Sequence, residues 1–298
     1  MKILLFGSTG QVGWELQRSL APLGEVIALQ HRTPSDGLCG DVSDLLGLAQ
    51  TIRTVRPDVI VNAAAHTAVD KAEGEQALAL RLNAQAPEVM ALQAHSLGAL
   101  LVHYSTDYVF DGSGNAPRAE DAVTAPLSVY GQTKLEGEQL IQASGCKHLI
   151  FRTSWVYAAR GGNFAKTMLR LAQEREQLNV INDQFGAPTG ADLLADVTAH
   201  AIRYVAQHPE HLGLYHCVAG GETTWYAYAE FVIATARQLL PELAFKLQAI
   251  QAVPTSAFPT PAKRPYNSRL STSKLQAALG LHLPDWQQGV RRMLQEIL

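Results

Sequence analysis

The chain has 298 residues, of which 47% are hydrophobic and 17% charged, and its formal net charge is -3. This length suits one large domain or two linked ones, and the small charge argues against nucleic acid or a membrane surface as a general partner. The sequence shows no apolar run near the roughly 20 residues of a membrane-spanning helix. The cysteines, Cys39, Cys146 and Cys217, are scattered and indicate neither a disulfide framework nor a zinc site, so we expect a cytoplasmic protein.

Strand-like and helix-like segments alternate through the first half of the chain. Apolar runs predict strands at 2–6, 26–29, 58–62, 99–104 and 148–151, and helical spacing of apolar residues predicts helices at 12–20, 45–55 and 76–96. Strands that are apolar on both faces and joined by helices are typical of a parallel sheet covered on both sides. We therefore predict an α/β fold whose residues 1–155 form a dinucleotide-binding, Rossmann-like, doubly wound parallel sheet.

The second half has a mixed pattern. It shows helical spacing at 164–171, 194–205 and 286–297, strand signals at 214–218 and 243–250, and four prolines between Val253 and Pro265 that exclude a regular helix there. We expect residues 156–298 to form mainly a smaller, mixed α/β substrate-binding lobe. Segments at about 214–218 and 249–253 are expected to return to the main sheet.

A glycine-rich loop follows the first predicted strand. Glycine lets a backbone turn sharply and approach a pyrophosphate, and the helix that follows offers free N–H groups to the phosphates. The spacing G-x-x-G-x-x-G in the first turn of a βα unit predicts a dinucleotide site. Its candidate residues are Gly7, Gly10, Gln11, Val12 and Gly13. A glycine-rich turn without a ligand is the alternative interpretation.

The ends of the second and third strands supply further cofactor candidates. Gln30 and Arg32 stand where an acid would bind the ribose 2′-hydroxyl of NAD, so we predict NADPH, with NADH possible. A solvated surface role for Arg32 is equally compatible. We predict that Asp41-Val42 receives the adenine ring, although Asp41 would also suit the N-cap of the next helix. The small residues Ala63-Ala64-Ala65 leave room for ribose and phosphates, or for tight helix packing.

Three residues form a candidate catalytic group. Tyr130 and Lys134 are four residues apart, which places them on one face of a helix. A nearby ammonium would favour the phenolate and lower the pKa of the tyrosine from its usual value near 10. Thr106 ends a predicted parallel strand, where such sheets bind ligands, and its hydroxyl could bond a substrate carbonyl while Tyr130 donates a proton. Taken alone, a Tyr-x-x-x-Lys pair is also common by chance on the surface of helices.

These motifs carry a resemblance over nearly the whole chain. The sequence resembles the extended short-chain dehydrogenase/reductase superfamily and, within it, the dTDP-4-dehydrorhamnose reductases. The matching segments are 7–13, 62–70, 104–112, 130–134, 152–157 and 183–189. The resemblance implies reduction of the C4 keto group of dTDP-4-dehydro-β-L-rhamnose to dTDP-L-rhamnose, the last step of dTDP-rhamnose synthesis for cell-surface polysaccharide.

The resemblance also implies roles for individual residues. Tyr130 would protonate the C4 oxygen, Lys134 would tune Tyr130 and hold the nicotinamide ribose, and Thr106 would polarise the carbonyl. Thr67 falls among the cofactor residues, and Val69, Asp107 and Trp155 fall where the family contacts the sugar nucleotide. Arg264 and Arg269 could bind the diphosphate through paired N–H donors. Related 4,6-dehydratases carry Thr-Asp-Glu where this chain has Thr106-Asp107-Tyr108, so it lacks their eliminating base.

A homodimer is a further expectation from the resemblance, in some members bridged by Mg²⁺. Glu15 and Asp192 lie at plausible positions, but two carboxylates far apart in sequence do not define a metal site, and the metal ligands stay undetermined. Two other functions are compatible with the sequence. One is another sugar-nucleotide reductase or epimerase on the same scaffold, and the other is a non-catalytic, cofactor-binding regulatory subunit.

Overall fold

The computed structural model describes residues 1–31, 37–242 and 244–298. The strands are β1 Lys2–Phe6, β2 Glu25–Leu29, β3 Val59–Asn62, β4 Leu100–Thr106, β5 Lys147–Thr153, β6 Val156–Tyr157, β7 Gln177–Ile181, β8 Phe185–Gly186, β9 Thr189–Gly190, β10 Gly213–His216, β11 Thr223–Thr224 and β12 Ala249–Val253. The helices are α1 Gln11–Leu20, α2 Leu45–Val55, α3 Val69–Gly74, α4 Gln76–Leu80, α5 Ala86–Leu97, α6 Val129–Ala143, α7 Phe164–Glu174, α8 Ala191–Val205, α9 Trp225–Leu239, α10 Ser273–Leu279 and α11 Trp286–Ile297. Among the described residues, no helix is long and apolar enough to cross a membrane.

Six of the strands form the main sheet, in the order β10-β5-β4-β3-β1-β2, with every neighbouring pair parallel. Alternate residues along a strand point to opposite faces, so Leu101 and Val102 of β4 enter two different cores. Helices α1, α8 and α10 pack on one face, and α2, α5 and α6 pack on the other. The predicted α/β fold with a Rossmann-like parallel sheet is therefore confirmed.

The second half contributes its own hydrophobic core. Buried side chains of α7, α9 and α11 surround strand β7, and the largest of them include Tyr228 and Trp286. Strand β10 leaves this half and lies beside β5, with Tyr215 level with Phe151. It thus forms one edge of the main sheet.

Strand β12 corrects one expectation. It does not return to the main sheet, as predicted for 249–253, but pairs in parallel with β7 in a two-stranded sheet. Its residues are mostly exposed, whereas a strand in a sheet covered on both faces needs apolar residues throughout. The half-exposed strand predicted at 243–250 begins only at Ala249, and Leu243 lies outside the described residues.

The predicted helix over 76–96 is not continuous. It divides into α4, a π-helical turn at Arg81–Gln85, and α5, which begins with Pro87 in its first turn. At this turn the carbonyl of Asn83 approaches helix α6 so closely that a Cβ on Gly137 would lie 2.1 Å from it. Leu78 and Leu92, two of the apolar residues whose spacing predicts this helix, are 42% and 50% exposed.

Candidate active site

The glycine-rich loop joins the carboxyl end of β1 to helix α1. Gly7 has φ +80°, and a Cβ on it would lie 2.7 Å from the carbonyl carbon of Ala63. A Cβ on Gly13 would lie 2.0 Å from the carbonyl oxygen of Gly7. Contacts this short cannot accommodate a side chain, so the loop, the helix and the end of β3 can meet only because these residues are glycine.

Free backbone donors line this loop. The first helical hydrogen bond of α1 runs from the Trp14 amide to the Gly10 carbonyl, so the amides of Gln11, Val12 and Gly13 precede the helical ladder. Such a helix N-terminus attracts phosphate oxygens. The Gln11 side chain also contacts the amide of Asn163 at 3.5 Å, which brings the second half of the chain next to the loop.

The residues at and after the end of β2 are the candidates for binding the adenosine part of the cofactor. Gln30 is exposed, and Arg32 lies outside the described residues. Asp41 accepts hydrogen bonds from the Ser43 amide at 2.8 Å and hydroxyl at 2.7 Å, which hold its pKa below the usual value despite partial burial. Asp41 is not the N-cap of α2, because Asp44 accepts the capping hydrogen bond from Gly47.

The other candidates of this region differ in exposure. The Val42 side chain is buried in the core beneath α2, so only its backbone could meet a cofactor. Ala63, Ala64 and Ala65 are partly exposed just beyond β3, and Thr67 is exposed. The alanines therefore border open space at the same sheet edge as the glycine loop.

Thr106 and Tyr130 come together at the carboxyl end of β4. Thr106 is buried, accepts a hydrogen bond from the Tyr108 amide at 3.2 Å and donates one to Asp107 Oδ1 at 3.1 Å. Burial raises the pKa of Tyr130 to about 12, although a hydrogen bond with the Thr106 hydroxyl lowers it. The phenol therefore keeps its proton at neutral pH, and the expectation of a lowered tyrosine pKa is corrected.

Two local features hold Tyr130 at the start of α6. Ser128 caps the helix by accepting a hydrogen bond from the Gly131 amide at 3.2 Å. A Cβ on Gly131 would lie 2.2 Å from the carbonyl oxygen of Tyr108, so only glycine allows the helix to approach the turn after β4 this closely. The Tyr108 and Tyr130 rings meet edge to face, 5.5 Å apart.

Lys134 lies one turn further along α6 and is only 2% exposed. Its Nζ atom contacts His103 Nε2 at 3.1 Å and the Tyr104 carbonyl at 2.5 Å rather than the Tyr130 phenol. Burial lowers the pKa of this amine to about 8, partly opposed by the charge of Glu138. The lysine is therefore close to its titration point near neutral pH.

Asp107 adds a second unusual titrating group. It is 2% exposed, and burial raises its pKa to about 6, against the lowering effect of hydrogen bonds from Ser268 and Thr106. Its Oδ2 atom is buried without a hydrogen-bond partner. At neutral pH this carboxylate has a free acceptor beside the Thr106–Tyr130 pair.

Of the other predicted substrate residues, two are already paired with carboxylates. Val69 begins α3 and is partly buried. Arg264 makes two hydrogen bonds to the neighbouring Asp70, at 3.1 and 2.7 Å, and Arg269 is paired with Glu222. Neither arginine is a free anion receptor.

Trp155 follows β5 in a strained conformation. Its φ of +50° is rare for a bulky residue, and its ring stacks on Trp225 at 3.6 Å. A Cβ on Gly186 would lie 2.8 Å from the Trp155 ring. The stacking and the close approach together fix this side chain at the sheet edge that carries Thr106.

Comparisons with known proteins identify the family. A family model described as RmlD substrate binding domain matches residues 1–298. The chain belongs to this family. A dTDP-4-dehydrorhamnose reductase of Shigella flexneri is 63% identical over 297 residues, covering 100% of this chain and 98% of that protein.

Solved structures of the same type agree with the fold of this RmlD-family chain. A dTDP-4-dehydrorhamnose reductase from Clostridium acetobutylicum has a TM-score of 0.88 at 34% identity, covering 100% of this chain and 99% of that one. One from Bacillus anthracis, in complex with NADP, has a TM-score of 0.87 at 32% identity and covers 99% of both chains.

Sequence reasoning missed several residues that this RmlD-family site brings together. His103 and Ser268 contact Lys134 and Asp107 respectively, and Asp70 holds Arg264. His103 carried a detectable signal, because it is a polar residue in the apolar run Leu100–Tyr104. The contacts of Ser268 and Asp70 carried no sequence signal, since they join distant parts of the chain.

Proposed function

We propose that this protein is an NAD(P)H-dependent dTDP-4-dehydrorhamnose reductase that converts dTDP-4-dehydro-β-L-rhamnose to dTDP-L-rhamnose. The observation that carries the proposal is the meeting of the Thr106 hydroxyl and the protonated Tyr130 phenol, beside the buried Lys134. The 63% identity to a reductase of this name supports the same substrate. The reaction would complete dTDP-rhamnose synthesis for cell-surface polysaccharide.

The residues of this chain supply the proton for a carbonyl reduction and polarise the carbonyl group. Bound NAD(P)H supplies the hydride. Thr106 would turn its one hydroxyl hydrogen from Asp107 Oδ1 to the C4 carbonyl oxygen and polarise it. Tyr130, whose raised pKa keeps its proton in place, then protonates the oxygen as negative charge develops there. Lys134 lies on the same helical face and compensates the charge left on the phenolate.

The cofactor would occupy the edge formed by β1, β3 and α1. Gly7 and Gly13 let the loop, the first turn of α1 and the end of β3 approach each other closely, and the first amides of α1 precede the helical ladder at this loop. The complex of the Bacillus anthracis relative with NADP supports a nicotinamide cofactor here. Among the described residues, Gln30 offers no acid to a ribose 2′-hydroxyl, which favours NADPH over NADH.

The substrate would lie between the two halves of the chain, with residues 1–155 binding the cofactor and most of 156–298 the sugar nucleotide. Val69 and Asp107 would contact the sugar, and Trp155 offers an aromatic surface to the sugar or thymine ring. Arg264 would meet the diphosphate by exchanging part of its pairing with Asp70.

The proposed magnesium is not supported by the residues of this chain. Glu15 and Asp192 line one cavity of about 310 Å³, but Glu15 pairs with Arg18 at 3.4 Å and Asp192 with Arg292 at 3.3 Å. The described residues contain no cluster of three or more acidic, histidine or cysteine side chains suited to a metal. The homodimer and the cytoplasmic location stay predictions.

The decisive experiment is NADPH oxidation with enzymatically made dTDP-4-dehydro-β-L-rhamnose, followed by identification of the sugar product. Tyr130→Phe is the matched variant: it should bind NADPH normally and lose turnover by about 10²- to 10⁴-fold. Near-normal turnover of this variant would remove Tyr130 from the mechanism. NADPH binding without turnover in the wild type would favour a regulatory subunit or another keto sugar.

A further inference from the structure

His103 is a buried histidine in the middle of strand β4, on the face covered by α6. It is 1% exposed and lies level with Asn62 of β3 in the sheet register. Its Nδ1 atom is 3.1 Å from Asn62 Nδ2, and its Nε2 atom is 3.1 Å from Lys134 Nζ. The ring therefore connects the end of β3 to the proposed catalytic lysine.

The backbone fixes which atom of the Asn62 amide faces the ring. The amide N–H of Ala64 donates to Asn62 Oδ1 at 3.1 Å, and a backbone N–H can only donate. Reversing the Asn62 amide would place its NH₂ group against this N–H. Asn62 Nδ2 must therefore donate to His103 Nδ1, so Nδ1 is the acceptor of the ring.

This hydrogen bond determines the tautomer of His103. Burial holds the pKa of the imidazole well below its usual value, and the charge of Lys134 lowers it further whenever that amine is protonated, so the ring is neutral in either state of the lysine. A neutral imidazole has one donor and one acceptor nitrogen. With Nδ1 accepting from Asn62, the ring hydrogen lies on Nε2 and points at Lys134 Nζ.

An ammonium group cannot accept that hydrogen. The protonated lysine has three donors and no acceptor, so Nε2–H and the ammonium would oppose each other. The neutral amine can accept from Nε2–H and still donate to the Tyr104 carbonyl, 2.5 Å away. The donor chain from Asn62 through His103 and Lys134 to Tyr104 is complete only when Lys134 is neutral.

Other charged and titrating groups around Lys134 act in different directions. From its own helix, Tyr130 shares its face and Glu138 stabilises the ammonium form. From β5, Arg152 is paired with Glu138 and offsets part of that stabilisation. Beyond the end of β4, Asp107 interacts electrostatically with Tyr130. His103 is the group of this set that contacts Nζ directly.

We propose that Asn62 and His103 are a positioning pair that favours the neutral amine of Lys134 and thereby sets the pH at which this lysine takes up its proton. When Lys134 is protonated, its contact with His103 is lost and the ammonium is released toward Tyr130. The consequence for turnover rests on the proposed reductase function, whereas the ring tautomer and the lysine titration do not.

The first test is the tautomer of His103 in the wild-type protein. NMR of ¹⁵N-histidine-labelled protein at a pH above the lysine titration, with the ring assigned by a His103→Gln variant, should show hydrogen on Nε2. The signal of the Lys134 ε-methylene, followed against pH after lysine labelling, should titrate near pH 8. Hydrogen on Nδ1 of His103 would overturn the proposal, and this measurement requires neither substrate nor a destabilising variant.

The second test reverses the tautomer. In Asn62→Asp, one carboxylate oxygen can keep the Ala64 amide while the other accepts from Nδ1–H, leaving Nε2 as an acceptor for the ammonium. We expect the midpoint of the Lys134 titration to move to higher pH by about one unit. The alkaline limb of the kcat/KM profile should move to higher pH by the same amount. Asn62→Leu removes the amide donor without adding charge, and it should cause a smaller rise. A shift in Asn62→Asp but none in Asn62→Leu would mean that charge alone acts, and it would refute the tautomer argument.

Discussion

Helix α6 is joined to the main sheet by a buried ion pair, and its removal should be costly. Arg152 of β5 and Glu138 of α6 are 5% and 2% exposed, and three N–H to oxygen contacts of 2.9, 3.2 and 2.6 Å connect them. The guanidinium also lies 5.1 Å from the centre of the Phe110 ring. In Glu138→Gln the arginine keeps its charge in a buried place and loses its counter-charge.

We expect Glu138→Gln to lower the free energy of unfolding by about 3–5 kcal/mol, as is typical when one partner of a buried pair is removed. Such a loss is a large fraction of the roughly 5–15 kcal/mol that stabilises a typical domain. Urea denaturation followed by circular dichroism measures it, with an expected fall in the midpoint of roughly 1–2 M.

The matched control is Glu138→Leu combined with Arg152→Met, which removes both charges at similar volume. This double variant should be more stable than Glu138→Gln, because its site contains no unpaired charge. The reasoning would be refuted if Glu138→Gln folded with a loss below about 1 kcal/mol, or if the double variant were the less stable of the two.

The same substitution has a consequence for the proposed chemistry. The negative charge of Glu138 raises the pKa of Lys134, against the effect of burial. Removing that charge should lower the pKa of the lysine further below its folded value of about 8. The ammonium would then be lost at a lower pH, so the alkaline limb of the kcat/KM profile should move to lower pH in Glu138→Gln.

Three further predictions concern the cofactor loop and the substrate side. Gly13→Ala should weaken NADPH binding at least about tenfold, measured by fluorescence titration, because its Cβ would lie 2.0 Å from the Gly7 carbonyl oxygen; unchanged affinity would exclude the loop as the binding site. Thr106→Val should reduce kcat about 10²-fold in the NADPH oxidation assay with little change in cofactor affinity, and a normal kcat would contradict its role. Arg264→Met should raise the KM for the sugar nucleotide about tenfold while kcat stays similar, because the diphosphate loses its guanidinium partner. Asp70→Asn should leave KM equal or lower, because Arg264 is then freer to bind the diphosphate. A higher KM in Asp70→Asn than in Arg264→Met would refute the exchange of Arg264 between Asp70 and the diphosphate.

Much of the main sheet could be predicted from the sequence because its signals are local. Strands β1, β3 and β4 are short apolar runs bounded by glycine, proline or polar residues, and such runs suit a sheet buried on both faces. The glycine loop could be placed for the same reason, since Gly7 and Gly13 are required by backbone geometry within one βα turn. The neighbourhood of Thr106 and Tyr130 followed from the rule that parallel strands place ligands at their carboxyl ends.

The remaining features depend on contacts between distant segments. The spacing of Tyr130 and Lys134 correctly placed both on one helical face, but it could not reveal that β4 supplies His103 and the Tyr104 carbonyl as the partners of the lysine. Likewise, the paired donors of Arg264 suggested a free anion site, while Asp70, 194 residues away in the chain, already occupies them. The predicted position of β12 in the main sheet was wrong, because an alternating pattern of apolar and polar residues indicates a strand but not the strand with which it pairs.

The polar groups beneath α6 connect stability with the proposed chemistry. Lys134 has a pKa of about 8 instead of 10.5, which corresponds to a cost of about 3 kcal/mol for keeping its ammonium buried at neutral pH. Because the folded state binds this proton less tightly than the unfolded chain, this cost is fully present below pH 8 and disappears as the pH rises toward 10.5. Glu138 reduces the cost, and Arg152 holds Glu138 in place. The ion pair thus joins α6 to β5, and its carboxylate raises the pKa of Lys134, so that the ammonium persists to higher pH beside Tyr130.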